Sequence, residues 1–216
     1  MNGLGLLRSV VIALAALAAC AGTAAAHPHS WITVETTVLY ENGAFTGLQH
    51  KWSFDEFYTA MAVEGLDTNK DGKFDREELA ELAKANIDGL KEFAYFTFPT
   101  LAGHELKFGE PRDYWLEHTD NLLSLHVTLP FAQPVLADAK GLAFSIQDPT
   151  FYIAFEFAKT DPVKFSPGAP KTCQIRIGGP DPKADSPLVR SGPAATVPGG
   201  FSMDFAKPVA IDCQGP

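Results

Sequence analysis

Asp67-Thr68-Asn69-Lys70-Asp71-Gly72-Lys73-Phe74-Asp75-Arg76-Glu77-Glu78 is the stretch that most restricts how this chain can fold. Oxygen-bearing side chains stand at its positions 1, 3, 5, 9 and 12 (Asp67, Asn69, Asp71, Asp75 and Glu78). Gly72 takes the sixth position, a sharp turn where a Cβ would be costly. The spacing is a complete D-x-[DN]-x-[DN]-G-x5-E pattern, with the backbone carbonyl of Lys73 at position 7. Such a loop gathers oxygens around a hard divalent cation, Asp75 often through water and Glu78 through both oxygens, and the ligand count favours Ca2+ over Mg2+.

The flanks agree with an EF-hand-like helix–loop–helix. Phe57, Met61 and Leu66 recur at helix-like spacing within residues 55–66, Leu79 and Leu82 begin a second apolar stripe, and Phe74 is expected to point inward. Only one such loop is found, and no methionine-rich groove of the sensor type accompanies it, so a structural clip is expected rather than a switch. An acidic, glycine-containing turn between helices is the plainer reading.

The amino terminus bears on compartment. Arg8 precedes an apolar run over residues 10–19, and small residues fill 22–26. This is the three-part plan of a secretory signal peptide, too short to span a membrane. Cleavage after Ala26 satisfies the A-x-A rule, makes 1–26 the signal and starts the mature chain at His27, in the periplasm. Leu17-Ala18-Ala19-Cys20 also reads as the box before a lipoprotein cysteine, so a lipid anchor at Cys20 is the alternative. No other stretch approaches 18 apolar residues, and no direct membrane span is expected.

Apolar residues make up 46% of the chain and charged residues 20%, which is enough to fill a core and far from disorder. The net charge of -9 argues against nucleic acid or an anionic membrane as partner and is compatible with cation binding. Cys173 and Cys213 survive either mode of processing and read as one disulfide in an oxidising compartment. A paired-cysteine metal site is the rival, but no CxxC spacing supports it.

Alternation over residues 31–40, a hairpin signal at Asn42-Gly43 and a run over 45–54 predict two paired strands. A helical module covers about 55–93. Further strands are expected at 93–98, 104–108, 115–117 and 122–129. Residues 130–140 read as a connection, after which 142–146 and 151–157 are expected to pair around Asp148-Pro149. Short strands near 173–177 and 209–213 flank a long loop over 177–200. The expected class is α+β: an antiparallel β scaffold over 27–160 with the helix–loop–helix inserted. The Pro/Gly-rich segment 161–216 belongs to the same domain or forms a small second one.

Histidines carry the second chemical clue. Cleavage after Ala26 gives His27 a free α-amine, with His29 across Pro28, a set able to chelate a soft or borderline ion such as Cu2+ or Zn2+. Pro28 has no N–H, which rules out the square-planar copper mode through deprotonated amides. Cleavage before Ala25 would instead present Ala25-Ala26-His27, which can use that mode. His118 and His126 flank a turn at Thr119-Asp120-Asn121, so adjoining strands could bring them together as further ligands. His50 could join them or be a satisfied core histidine, and His104, after a turn glycine, is most simply solvated. Asp55 and Glu56 read as helix caps rather than catalytic carboxylates, and residues 52–58 as aromatic packing.

No G-x-S-x-G, glycine-rich phosphate loop or H-E-x-x-H occurs, and no Ser/His spacing indicates a triad, so no enzyme is expected. Copper-dependent oxidation at an amino-terminal histidine is kept as an alternative.

Taken together, His27-Pro28-His29 after a signal peptide, Trp52-Ser53-Phe54-Asp55-Glu56-Phe57, the loop at 67–78 and Asp148-Pro149-Thr150-Phe151-Tyr152 resemble a family of bacterial periplasmic proteins. That family is described as the periplasmic component of an ABC-type transport system and is associated with transporters of the nickel/cobalt exporter type. The resemblance spans nearly the whole mature chain and implies a periplasmic, metal-linked role beside an inner-membrane metal transporter; it brings no catalytic residues.

The reading reached is a non-enzymatic metal-binding accessory protein. Ca2+ at Asp67, Asn69, Asp71, Lys73, Asp75 and Glu78 braces the fold. His27 and His29, with His50, His118 or His126, hold or deliver Zn2+, Ni2+, Co2+ or Cu2+. A calcium-stabilised adhesion or scaffold module with incidental histidines is the alternative from another class.

Overall fold

The computed structural model describes residues 29–150, 152–178 and 207–213. Strand β1 (Ser30–Glu41) buries every second residue, Ile32, Val34, Thr36 and Val38, as a pleated ribbon with one face on a core must. Asn42 and Gly43 both take positive φ (50° and 85°), the two-residue turn whose twist suits a hairpin, and lead into β2 (Ala44–Phe54). The chain then forms helices α1 (Glu56–Ala62) and α2 (Ala80–Leu90) and a 3-10 segment at Lys91–Phe96. Nine strands follow: β3 (Thr97–Leu101), β4 (His104–Glu105), β5 (Arg112–Thr119), β6 (Leu122–Leu136), β7 (Leu142–Ile146), β8 (Ile153–Phe157), β9 (Val163–Phe165), β10 (Cys173–Ile177) and β11 (Val209–Cys213).

Two sheets result, one ordered β5-β6-β2-β1-β8 with β9 also on β1, the other β10-β11-β7-β3-β4. They share one core, in which Trp52 of the first sheet packs on Phe155 (centroids 5.3 Å) and Phe155 on Phe96 (5.4 Å). Strands with few helices bear out the α+β class. The first sheet, however, is mixed rather than antiparallel: β8 and β9 both run parallel to β1.

The expected pairing of 142–146 with 151–157 does not form, because β7 and β8 lie in different sheets. Asp148 explains the divergence. Its buried carboxylate accepts the N–H groups of Thr150, Tyr152 and Ile153 and the Thr150 hydroxyl, fixing a bend that carries the chain from one sheet to the other.

Two further expectations are corrected. Residues 93–98 do not begin as a strand: Ala94, Tyr95 and Phe96 have φ of 51°, 52° and 45°, so β3 starts only at Thr97. Left-handed backbone costs a non-glycine residue about 1–2 kcal/mol; here burial of the Tyr95 and Phe96 rings offsets it, and the Thr97 hydroxyl donates to the Tyr95 carbonyl at 2.8 Å. Nor is 130–140 a plain connection, since β6 continues through Pro130 and Pro134 to Leu136. The strand passes Pro130 at an irregularity of β2 where Gly47 faces it. A Cβ on Gly47 would lie 2.5 Å from the Leu129 carbonyl oxygen, so only glycine allows the approach. The strand expected at 104–108 is confined to His104–Glu105, with one isolated bridge between Phe108 and Phe131.

At the other end, Cys173 and Cys213 face each other across β10 and β11 and form the expected disulfide, with Cα atoms 3.9 Å apart. Because β11 pairs with β7, these late strands extend the second sheet. Among the described residues no helix is long and apolar enough to cross a membrane. The signal-peptide residues, Cys20, His27 and most of the expected loop over 177–200 lie outside the described residues.

Candidate functional site

Asp55 starts the helical insert. Its carboxylate accepts the Tyr58 N–H at 2.8 Å as an N-cap, and also the Trp31 N–H (2.8 Å) and the Ser30 hydroxyl (3.1 Å), so it ties the beginning of β1 to the helix. Burial alone would raise the Asp55 carboxyl; bonds from Trp31, Tyr58, Ser30 and Phe57 together hold it below the usual range. Helix α1 stops at Ala62 instead of reaching Leu66, and Gly65 turns away with φ 79°. Phe57 and Met61, expected in a core-facing stripe, are 71% and 57% exposed.

Within residues 67–78 the oxygens organise the main chain. Asp67 accepts from the Asp71 and Gly72 N–H groups (3.1 and 3.0 Å), Asn69 from Asp71 (2.9 Å), and Asp71 from Lys73 (2.8 Å). Gly72 has φ 77°, the conformation its place in the pattern requires. Asp75 accepts from Glu77 and Glu78 (2.9 and 3.0 Å), capping the turn that leads into α2.

Glu78 folds back across the loop. Its Oε1 accepts from the Thr68 hydroxyl and N–H (both 2.8 Å) and from Asn69 (3.3 Å), and its Oε2 from Asp75 (3.2 Å). The Thr68 hydroxyl foremost, then the Asp75 N–H, hold the Glu78 carboxyl below the usual range. Among the described residues no three His, Cys, Asp or Glu side chains stand together as a finished cage. The donor chemistry nevertheless fits a hard cation. It consists of carboxylate and amide oxygens, of which those of Asp67, Asn69 and Asp71 accept at most one bond each while Glu78 Oε1 already accepts three. Bidentate binding would require Glu78 to exchange its N–H partners for the ion.

The loop grips the edge of the first sheet. Phe74 packs edge-on against the His118 ring (4.9 Å), and the Arg76 guanidinium lies 4.6 Å over the Trp115 ring. Trp115 and His118 are three apart on β5 and so face opposite sides of the sheet. The loop therefore straddles an edge strand that would otherwise be open to pairing. Phe74 is half-buried, as its inward orientation required.

That same parity separates the histidines. His126 faces Trp115 across the ladder and His118 faces Leu123, so the two point to opposite faces and the expected His118–His126 pair does not form. His126 stacks on Trp115 (centroids 4.4 Å, 4° between planes), and its Nε2 lies 2.8 Å from Glu117. The His126 imidazole holds the Glu117 carboxyl below the usual range. His50 is a core residue between the sheets, with Nδ1 2.9 Å from the Thr36 hydroxyl and Nε2 3.4 Å from the Thr97 hydroxyl. His104 is exposed. His29 is also exposed; its ring stacks on Tyr152 (4.8 Å) and its N–H donates to the Tyr152 carbonyl.

A cavity of about 390 Å³ lies between β2 and the two helices. Trp52 and Phe54 come from β2, Tyr58 and Met61 from α1, Asn86 and Leu90 from α2. His29 and Tyr152 also line it. Burial raises the Tyr58 hydroxyl above its ordinary value, and this neutral phenol donates to Asn86 Oδ1 at 3.3 Å. Trp52 Nε1 and Asn86 Nδ2 are buried and find no hydrogen-bond partner among the described residues, a cost of about 1–3 kcal/mol for each such donor. Sequence reasoning missed this cavity, treating residues 52–58 as packing alone. The available signal was Asn86, a lone amide one turn before Leu90 on a helix whose neighbouring positions Ala83 and Ile87 are buried.

Comparison with known proteins places residues 12–213 in a match to the family described as "Protein of unknown function (DUF1007)". An "Uncharacterized protein" of Haemophilus influenzae is 26% identical over 157 residues, covering 72% of this chain and 74% of that one. The "Uncharacterized 15.5 kDa protein in trpE 3'region" of Spirochaeta aurantia is 34% identical over 98 residues, covering 45% and 69%.

Proposed function

This chain belongs to the DUF1007 family, and we propose that it serves as a periplasmic metal-binding accessory protein for an inner-membrane metal transporter. In this reading Ca2+ in the loop of residues 67–78 braces the fold, and His27 with His29 holds or hands on a transition metal. The observation that carries the proposal is the loop. A complete set of oxygen donors at the required spacing is already curled by its own N–H bonds around Gly72.

An ion there would act at a mechanical junction. The loop connects α1 to α2 and also clamps β5 through Phe74 and Arg76. Binding would fix the helices against the sheet and add stability by mass action. The transition-metal part is supported by an exposed His29 whose ring orientation is held by Tyr152, and by the family resemblance to components of metal transport. A disulfide is compatible with a location outside the cytoplasm.

Metal analysis of tag-free protein with its native amino terminus tests the proposal. Wild type is expected to carry calcium plus a stoichiometric equivalent of Zn, Ni, Co or Cu, and His27→Ala calcium alone. Calcium alone in both would remove the transport role and leave a calcium-stabilised scaffold module.

A further inference from the structure

We infer, resting on the proposal that residues 67–78 hold a divalent cation, that the Thr68 side chain latches Glu78 and thereby sets the loop's choice between Ca2+ and Mg2+. Glu78 closes the pattern as the ligand meant to offer two oxygens, and those two are held unequally. Its Oε1 accepts the Thr68 hydroxyl and N–H, both at 2.8 Å, and the Asn69 N–H at 3.3 Å. Its Oε2 accepts the Asp75 N–H at 3.2 Å. A carboxylate oxygen has about two lone-pair directions, so Oε1 is fully engaged while Oε2 can still take an ion.

Coordination number turns that inequality into a preference. Asp67, Asn69, Asp71, the Lys73 carbonyl and Asp75, directly or through water, each offer one oxygen. With Oε1 latched, Glu78 adds a single oxygen and completes the octahedral set that Mg2+ demands. With Oε1 released it adds two, and the shell becomes the larger, more pliable one that suits Ca2+. Among the donors on Oε1 the hydroxyl is the one that can leave without moving the main chain, by rotation about χ1. Thr68 is exposed, so water takes over the hydroxyl when it swings away. The Asn69 bond is long, so that departure frees most of one lone pair for the ion. The hydroxyl also leads the groups that hold the Glu78 carboxyl below its usual range, as the strongest partner of the latched form should.

Thr68→Val keeps the side-chain shape and the N–H and deletes the hydroxyl, whereas Thr68→Ser retains it; the position is exposed, so neither change disturbs the core. The test titrates the chelator-stripped full mature chain with Ca2+, alone and in competition with Mg2+, and follows thermal unfolding in chelator. Expected for Thr68→Val is a Ca2+ Kd roughly tenfold lower, the scale of one hydrogen bond to a charged group. Its Mg2+ affinity should stay within about twofold of wild type, since Mg2+ uses Oε2 alone. Its ion-free Tm should fall by about 2–4 °C. Tighter binding with a weaker ion-free fold is a pair of opposite signs that a merely structural threonine does not produce. Thr68→Ser should match wild type. A Ca2+ affinity unchanged or lowered in Thr68→Val, an equal gain for Mg2+, or an ion-free Tm that holds would overturn the latch alone, provided wild type binds Ca2+. No Ca2+ heat in wild type would remove the cation loop and the latch together.

Discussion

Lowering the pH from 7 to 5 is expected to remove about 2 kcal/mol of folding stability through His50 alone. His50 is 1% exposed and sits between the Thr36 and Thr97 hydroxyls, with the Trp52 ring 5.7 Å away. Burial pushes its pKa from 6.5 down to about 3. The unfolded chain therefore takes up a proton near pH 6.5, while the folded chain refuses it until about pH 3. Between those limits the unfolded state binds more protons, so stability falls as pH falls, by up to about 1.4 kcal/mol per pH unit. Above pH 6.5 the residue imposes no such cost.

The window from pH 6.5 to 5 isolates this effect from the carboxylates. Asp55, Glu78 and Glu117 are all held below their usual range, so their contributions are present above the ordinary carboxylate pKa and are lost only in stronger acid. Urea unfolding at pH 7.5, 6 and 5 should show the loss in wild type, and a flatter profile in His50→Gln whatever the variant's absolute stability. A wild-type profile level to pH 5 would contradict a neutral imidazole bridging the two sheets.

Removing the Cys173–Cys213 link is expected to cost more, about 4 kcal/mol, from the chain entropy of freeing a closed loop whose ends are 40 residues apart. The location supports a value near that level. Strand β11 lies between β10 and β7 and buries Val209, Ile211 and Cys213. Without the link, burial of that surface depends on the pairing of β11 with β10 and β7 alone. Guanidinium unfolding of the oxidised protein and of the Cys173→Ser/Cys213→Ser double variant measures the difference. A loss under about 1 kcal/mol would mean that β11 stays docked without the bond.

These elements also show what the amino-acid sequence makes legible. Strands at 30–41, 44–54, 142–146, 173–177 and 209–213 follow from local alternation and from turn chemistry such as Asn42-Gly43, both of which act within a few residues. What escaped is decided at a distance. The continuation of β6 past Pro130 depends on Gly47 in another strand, and the parallel seat of β8 on β1 depends on the Asp148 bend. The left-handed turn at 94–96 is set by where its aromatic rings are buried, which no local propensity records.

The same distinction divides the sites. The loop at 67–78 is legible because its ligand spacing lies within one short run. The separation of His118 from His126 turns on sheet parity, which a one-residue change in turn register would reverse. The cavity collects His29, Trp52, Asn86 and Tyr152 from four separate segments, and only the fold reveals that they meet.

The most direct measurement is calorimetry of chelator-stripped protein titrated with Ca2+, paired with thermal unfolding and with Glu78→Gln as control. Expected are a saturable heat for one ion per chain and, at a free calcium level about 100 times the Kd, stabilisation of about 2.7 kcal/mol. For a domain of this size that corresponds to a rise in Tm of roughly 5–10 °C, largely abolished by Glu78→Gln. No heat and no gain in Tm at millimolar calcium would contradict the claim that residues 67–78 hold a divalent ion.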